Sequence, residues 1–184
     1  MRITISHGFT LIELLVTVSI ISMLSFVAIP SFLELFRTSR LATQTHAFLT
    51  AANFARHEAI MRGSRTVICA RIHNICRTDQ KWENGWIIFL DNDADMLPDN
   101  GALIREFPSL SPNYILSPNV NTASLVYLPD GTVRRGSGAL PLMTFKLCAP
   151  DAAPGNISQR SREIVINASG RMRVQFGREG ITAC

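Results

Sequence analysis

Lysine is nearly missing from this chain. Of 184 residues only Lys81 and Lys146 are lysines, against 16 arginines. Lysine is the usual solubilising cation, whereas arginine is suited to planar, two-pronged contacts with phosphate. Charge of either kind is sparse, at 17% of residues with a net +4, which excludes an acidic solvating protein and a disordered polyelectrolyte. The same composition is 47% hydrophobic, enough to build a core. There is no C-x-x-C pair among the four cysteines, and His7, His46, His57 and His73 supply no close ligand pairs, so a zinc knuckle is excluded. A Ser/His/Asp set and a phosphate loop are also missing, and His57-Glu58 does not extend to a zinc motif. We therefore expect a protein that is not an enzyme and that needs no cofactor or metal. No internal repeat or low-complexity linker divides the chain.

The cysteines are Cys69, Cys76, Cys148 and Cys184. An even count outside the cytoplasm reads as disulfides. Of three possible pairings we expect Cys69–Cys76 with Cys148–Cys184, because each then closes a loop within one stretch of chain. The second would pin the C-terminus, and loop-closure entropy gives it roughly 3–4 kcal/mol.

Residues 9–29, FTLIELLVTVSIISMLSFVAI, are almost wholly apolar. As a helix they span about 30 Å, the thickness of a bilayer core. A secretory signal would be cut after such a run, at small residues. Here the small residue, Gly8, stands before it, so a cut there leaves the helix on the mature protein. Glu13 is the anomaly. A carboxylate near the end of a span costs up to about 2.5–3.5 kcal/mol, so it is either a functional group or an end residue that snorkels to the headgroups.

The run Gly8-Phe9-Thr10-Leu11-Ile12-Glu13, followed by a hydrophobic helix and Pro30, resembles the amino terminus of type IV pilins and type II secretion pseudopilins. The resemblance implies a prepilin peptidase that cuts after Gly8, leaving residues 1–8 as a leader, and N-methylation of Phe9. It implies that Glu13 pairs with the terminal amine of a neighbouring pilin. It also implies residence in the bacterial inner membrane with the head in the periplasm, then in the extracellular pilus with other major and minor pilins.

Beyond Pro30 the pattern turns amphipathic. Leu41, Phe48, Ala52, Ala55 and Ala59 form one stripe at helical spacing. Gly63 can cap the end, with Arg56 and Arg62 beside the negative pole of the dipole. We expect one helix over about 9–62: residues 9–29 as membrane or filament core, and 30–62 as an amphipathic continuation.

Residues 63–184 carry strand signals. Candidates are 66–71, 85–90, 103–107, 113–116, 124–128, 132–135, 142–148, 163–167 and 171–176, with Pro129-Asp130-Gly131 as a turn. Trp82 and Gly85-Trp86-Ile87-Ile88-Phe89, with the Asp-rich turn after them, resemble the head of the GspH/FimT family of minor pilins. The fold class this implies is α+β, a pilin-like fold in which a long N-terminal helix, half of it transmembrane, packs on a β-rich head of two antiparallel sheets.

Asp91-Asn92-Asp93-Ala94-Asp95 resembles the start of a calcium loop, but Met96 replaces the required Gly and no Glu follows at the twelfth position. We read it as a solvated hairpin loop and assign no metal.

Ser158 to Arg178 holds Arg160, Arg162, Arg171, Arg173 and Arg178 against one acid, Glu163. Arg171-Met172-Arg173-Val174-Gln175-Phe176 alternates without a break. In a strand this puts Met172, Val174 and Phe176 in the core and Arg171, Arg173 and Gln175 outside. Guanidiniums two residues apart stand about 6.5–7 Å apart at the backbone, near the spacing of successive phosphates. An ordinary solvated β-face would alternate in the same way. Gly170-Arg171-Met172-Arg173 resembles the Gly-Arg-x-Arg motif of FimT-type minor pilins, which bind DNA during natural transformation. The resemblance implies phosphate contacts from Arg171 and Arg173 and a turn shaped by Gly170. Arg178 is a candidate by proximity, and Arg160 and Arg162, in the loop before, are further candidates. The function expected is a minor pilin at or near the pilus tip that binds double-stranded DNA without sequence preference. The alternative is a structural minor pilin or pseudopilin that primes filament assembly.

Overall fold

The computed structural model describes residues 10–73, 75–99, 103–140 and 142–178. Gly8, Phe9 and Cys184 therefore lie outside the described residues. The chain divides into two compact units, one ending at Ser39 and the other beginning at Arg40.

Helix α1 covers Leu11–Arg62. Thr10 and Glu13 close its start reciprocally: the Glu13 amide donates to Thr10 Oγ1 at 3.3 Å, and the Thr10 amide to Glu13 Oε2 at 3.5 Å. This is the capping-box arrangement, which satisfies two otherwise orphaned donors. The first unit is apolar and exposed, from Leu11 through Phe36, and it is long and apolar enough to cross a membrane. Ser19, Ser22 and Ser25 return their hydroxyls to carbonyls of the preceding turn, so the span carries few unsatisfied polar atoms.

The second unit begins inside α1. Leu41, Phe48, Ala51, Ala52, Ala55 and Ala59 are all buried, so the predicted stripe is the core face. Gly63 adopts a φ of +60° and ends the helix, as expected. Ten strands follow: β1 (Thr66–Ile72), β2 (Ile75–Cys76), β3 (Trp86–Leu90), β4 (Leu103–Phe107), β5 (Ile115–Pro118), β6 (Ser124–Tyr127), β7 (Val133–Arg135), β8 (Met143–Cys148), β9 (Ser161–Ile166) and β10 (Met172–Phe176). A 3₁₀ turn at Trp82–Asn84 and a single helical turn, α2 (Ile157–Arg160), complete them. One antiparallel sheet runs β4-β3-β1-β6-β7, with β2 paired to β1; the other runs β10-β9-β8-β5.

Phe48 joins the helix to both sheets. Its ring meets Trp82 and Trp86 edge-on, at 5.7 and 5.4 Å, and Phe145 at 4.8 Å. Trp86 belongs to β3 and Phe145 to β8, so one aromatic residue ties three layers together. Edge-to-face rings at these separations add about 0.5–1.5 kcal/mol per pair beyond area burial. Trp82 Nε1 donates to the Thr122 carbonyl at 3.1 Å, which makes its complete burial tolerable.

Cys69–Cys76 is bridged, as expected, and closes the β1–β2 hairpin. Cys148 is also held in a disulfide; its expected partner, Cys184, lies outside the described residues.

Candidate nucleic-acid interface

Among the described residues, strand β10 pairs only with β9 and forms the edge of its sheet. Its register sets Arg173 opposite Val165, Val174 opposite Ile164, Gln175 opposite Glu163 and Phe176 opposite Arg162. The alternation predicts a buried row of Met172, Val174 and Phe176. Only Met172 packs on the core; Val174 is 38% exposed and Phe176 68%. Period-two patterning reports which face of a strand a residue takes and not how deeply that face is covered.

Of the five arginines in this stretch, three are occupied. Arg160 is buried, and its Nε stands 3.2 Å from Asp151 Oδ2. The Arg162 guanidinium lies over the Phe176 ring at 4.7 Å, and its Nη1 donates to the Ser161 carbonyl at 2.8 Å; partial desolvation lowers its pKa. Arg178 serves Glu163: its amide donates to Oε1 at 2.8 Å and its Nε to Oε2 at 3.2 Å. All three therefore have partners within the head, but to different depths: Arg160 is buried, Arg162 half-buried, and the Arg178 side chain is 63% exposed beside Glu163.

Glu163 is wholly buried. Burial alone would raise its pKa, but the hydrogen bonds from Gln175 Nε2, at 2.8 Å, and from Arg178 outweigh it, and the carboxyl is held below its usual range. Lys146, opposite Glu163 in register, is buried too, and its Nζ donates to the Arg178 carbonyl at 2.8 Å. The one acid of the stretch is thus neutralised from within.

Arg171 and Arg173 differ from the other three. Both are exposed, and among the described residues neither guanidinium has an ion pair or a hydrogen-bonding partner. Their backbone is fixed: Asn167 Oδ1 accepts from the Arg171 amide at 3.0 Å, and the Gly170 amide donates to the Asn167 carbonyl at 3.0 Å. Gly170 has a φ of +74° and is buried. A Cβ there would stand 2.4 Å from the Gly131 carbonyl oxygen. Glycine is therefore required, but for packing on the neighbouring Pro129-Asp130-Gly131 turn, and not for a ligand's approach.

The Asp-rich turn departs from the expected solvated loop at one residue. Asp93 and Asp95 are exposed, but Asp91 is buried, with Oδ2 at 3.1 Å from Arg65 Nε and Oδ1 accepting from the Met96 amide. Asp91, Asp93 and Asp99 bring carboxylate oxygens within 4.8 Å of one another. Arg65 and Arg56, both engaged in long-range contacts, were not marked as site residues by the sequence; no local motif signals either.

A family profile described as "Type II transport protein GspH" matches residues 44–170, and one for the prokaryotic N-terminal methylation motif matches residues 4–29. No curated protein matches. The type IV minor pilin FimU of Pseudomonas aeruginosa is similar in structure: TM-score 0.61, 17% identity, covering 78% of this chain and 96% of FimU. The minor pseudopilin EpsH of the Vibrio cholerae type II secretion system matches with TM-score 0.50 and 11% identity, covering 78% of this chain and 98% of EpsH. At these identities the likeness establishes the fold. With the GspH profile over most of the head and the methylation motif ahead of it, the chain belongs to the GspH family, as a membrane-anchored minor pilin or pseudopilin that joins other pilins in a filament.

Proposed function

We propose that this subunit binds double-stranded DNA, without sequence preference, through Arg171 and Arg173, and that it does so at or near the pilus tip during natural transformation. The observation that carries the reading is a pair of exposed guanidiniums, without partners among the described residues, on a hairpin whose turn is held by Asn167 and Gly170. Two cations on one edge neutralise phosphates and release counterions; they read no bases. Affinity per subunit is low, and several heads add avidity. The proposed role requires no enzymatic step, and Glu58 of the His57-Glu58 pair is paired with Arg62.

Before assembly Glu13 caps its own helix through Thr10. In the filament it takes the terminal amine of a neighbouring pilin, once prepilin peptidase has cut after Gly8 and Phe9 has been methylated. A charge paired across a helix interface is tolerable in lipid where a lone one is not.

One observation favours the alternative, a subunit that primes assembly without binding DNA. Val174 and Phe176 are apolar and exposed on a strand whose outer edge pairs with no other among the described residues, a surface that another head can cover.

The test is a gel shift with the full chain in neutral detergent. Duplex DNA of arbitrary sequence is retarded at low salt. Arg171→Ala with Arg173→Ala abolishes the shift and lowers the salt slope by about one to two counterions. A double variant that shifts DNA as well as its parent removes these two residues from the interface. A parent that binds no DNA leaves the assembly role.

A further inference from the structure

Arg56 stands on α1, half-buried, far in sequence from the Gly-Arg-Met-Arg segment. Dipole reasoning alone assigns it to the helix end, but its Nε instead donates to the Gly131 carbonyl at 2.9 Å. Gly131 and Gly170 both have positive φ, +78° and +74°. A Cβ on Gly170 would come within 3.0 Å of Arg56 Nε, and one on Gly131 within 3.2 Å of Arg56 Nη2. Two facing glycines thus leave a notch, and the guanidinium fills it. The next residue along the chain from Gly170 is Arg171.

We propose that Arg56 is a third cation of the polyanion surface, contacting phosphate oxygens beside those held by Arg171 and Arg173. The inference rests on the reading of that hairpin as a DNA interface and extends it to a residue outside the linear motif. A guanidinium has five N–H donors, and the carbonyl takes one. Among the described residues Arg56 has no ion pair. The acid of the adjoining turn, Asp130, is turned to its own backbone: its Oδ1 accepts from the Thr132 amide at 2.8 Å and hydroxyl at 2.6 Å. Anchoring at Nε removes much of the rotamer freedom that a solvated arginine would lose on meeting phosphate. The helix therefore supplies a pre-positioned cation where the strand supplies two mobile ones.

The experiment compares Arg56→Gln and Arg56→Lys with the parent, as full chains in neutral detergent, on a labelled duplex and on linear inorganic polyphosphate across a salt series. Arg56→Gln lowers the salt slope by about one counterion and weakens low-salt binding several-fold, whereas Arg56→Lys keeps the slope. A merely structural strut behaves otherwise: both variants melt earlier and neither changes the slope, which overturns the proposal. If the parent binds polyphosphate but no duplex, the DNA reading falls, and Arg56 stands or falls on its polyphosphate slope alone. A parent that binds neither polyanion overturns the proposal as well.

Discussion

The arginines on either side of β9 have the same chemistry and opposite fates. Arg160 and Arg162 enter the strand from a helical turn, where Asp151, the Phe176 ring and three backbone carbonyls surround them. Arg171 and Arg173 leave the same hairpin on the edge strand, where among the described residues no neighbour is placed to receive them. An arginine enclosed by the fold spends its donors on carbonyls and an acid. One on an edge strand leaves them open to solvent. Composition cannot separate the two groups; only their position relative to β9 does.

The comparison is broken most severely at Glu163, which lies between the groups and serves neither. Glu163→Ala leaves Gln175 Nε2 and the Arg178 amide without their acceptor. Each buried donor left without its acceptor costs about 1–3 kcal/mol, so we expect a melting temperature several degrees lower, measured by circular dichroism. A variant that melts with the parent would mean that this network contributes no stability.

Arg160→Ala comes next. It removes a mostly buried guanidinium and leaves the partly exposed Asp151 to water, for a loss of about 1–2 kcal/mol. DNA binding should keep its parental salt slope, because Arg160 is enclosed. A flattened slope would put Arg160 back on the interface.

Acid sharpens the same contrast with a smaller effect. The folded state holds Glu163 below its unfolded value, so its stabilisation is complete above about pH 4.3, the ordinary glutamate value, and fades as pH falls through the depressed folded value. Denaturation followed from pH 6 downward should therefore show a loss of stability that Glu163→Gln lacks. Equal slopes in parent and variant would contradict the depressed pKa.

Much of this architecture is legible in the chain itself. The apolar run, the stripe from Leu41 to Ala59 and the turn at Gly131 follow from spacing and backbone preference, which are local. So does the Cys69–Cys76 bridge, which closes a short hairpin. The short elements, β2 and α2, carry too few residues to show a period. Which arginines are enclosed is not local either: Arg162 is covered because Phe176 lies opposite it in register, and Arg56 is held because two turns from different sheets meet beside it. Val174 and Phe176 read as core for the same reason, since alternation reports the face of a strand and not whether anything packs there.

The smallest expected effect is on the stability of the Arg171→Ala, Arg173→Ala protein. Exposed side chains without partners contribute within about 0.5 kcal/mol, so its melting temperature should match the parent's even as DNA binding is lost. That pairing of outcomes is what separates an interface from a scaffold. Had Arg171 and Arg173 been structural in the manner of Arg160, removing them would lower the melting temperature; a clear drop there would place them with the enclosed arginines and assign any lost binding to a disturbed hairpin. Gly170→Ala serves as the opposite control. It leaves both guanidiniums in place and forces a Cβ against the Gly131 carbonyl, so stability falls first, and binding falls only because the hairpin has moved.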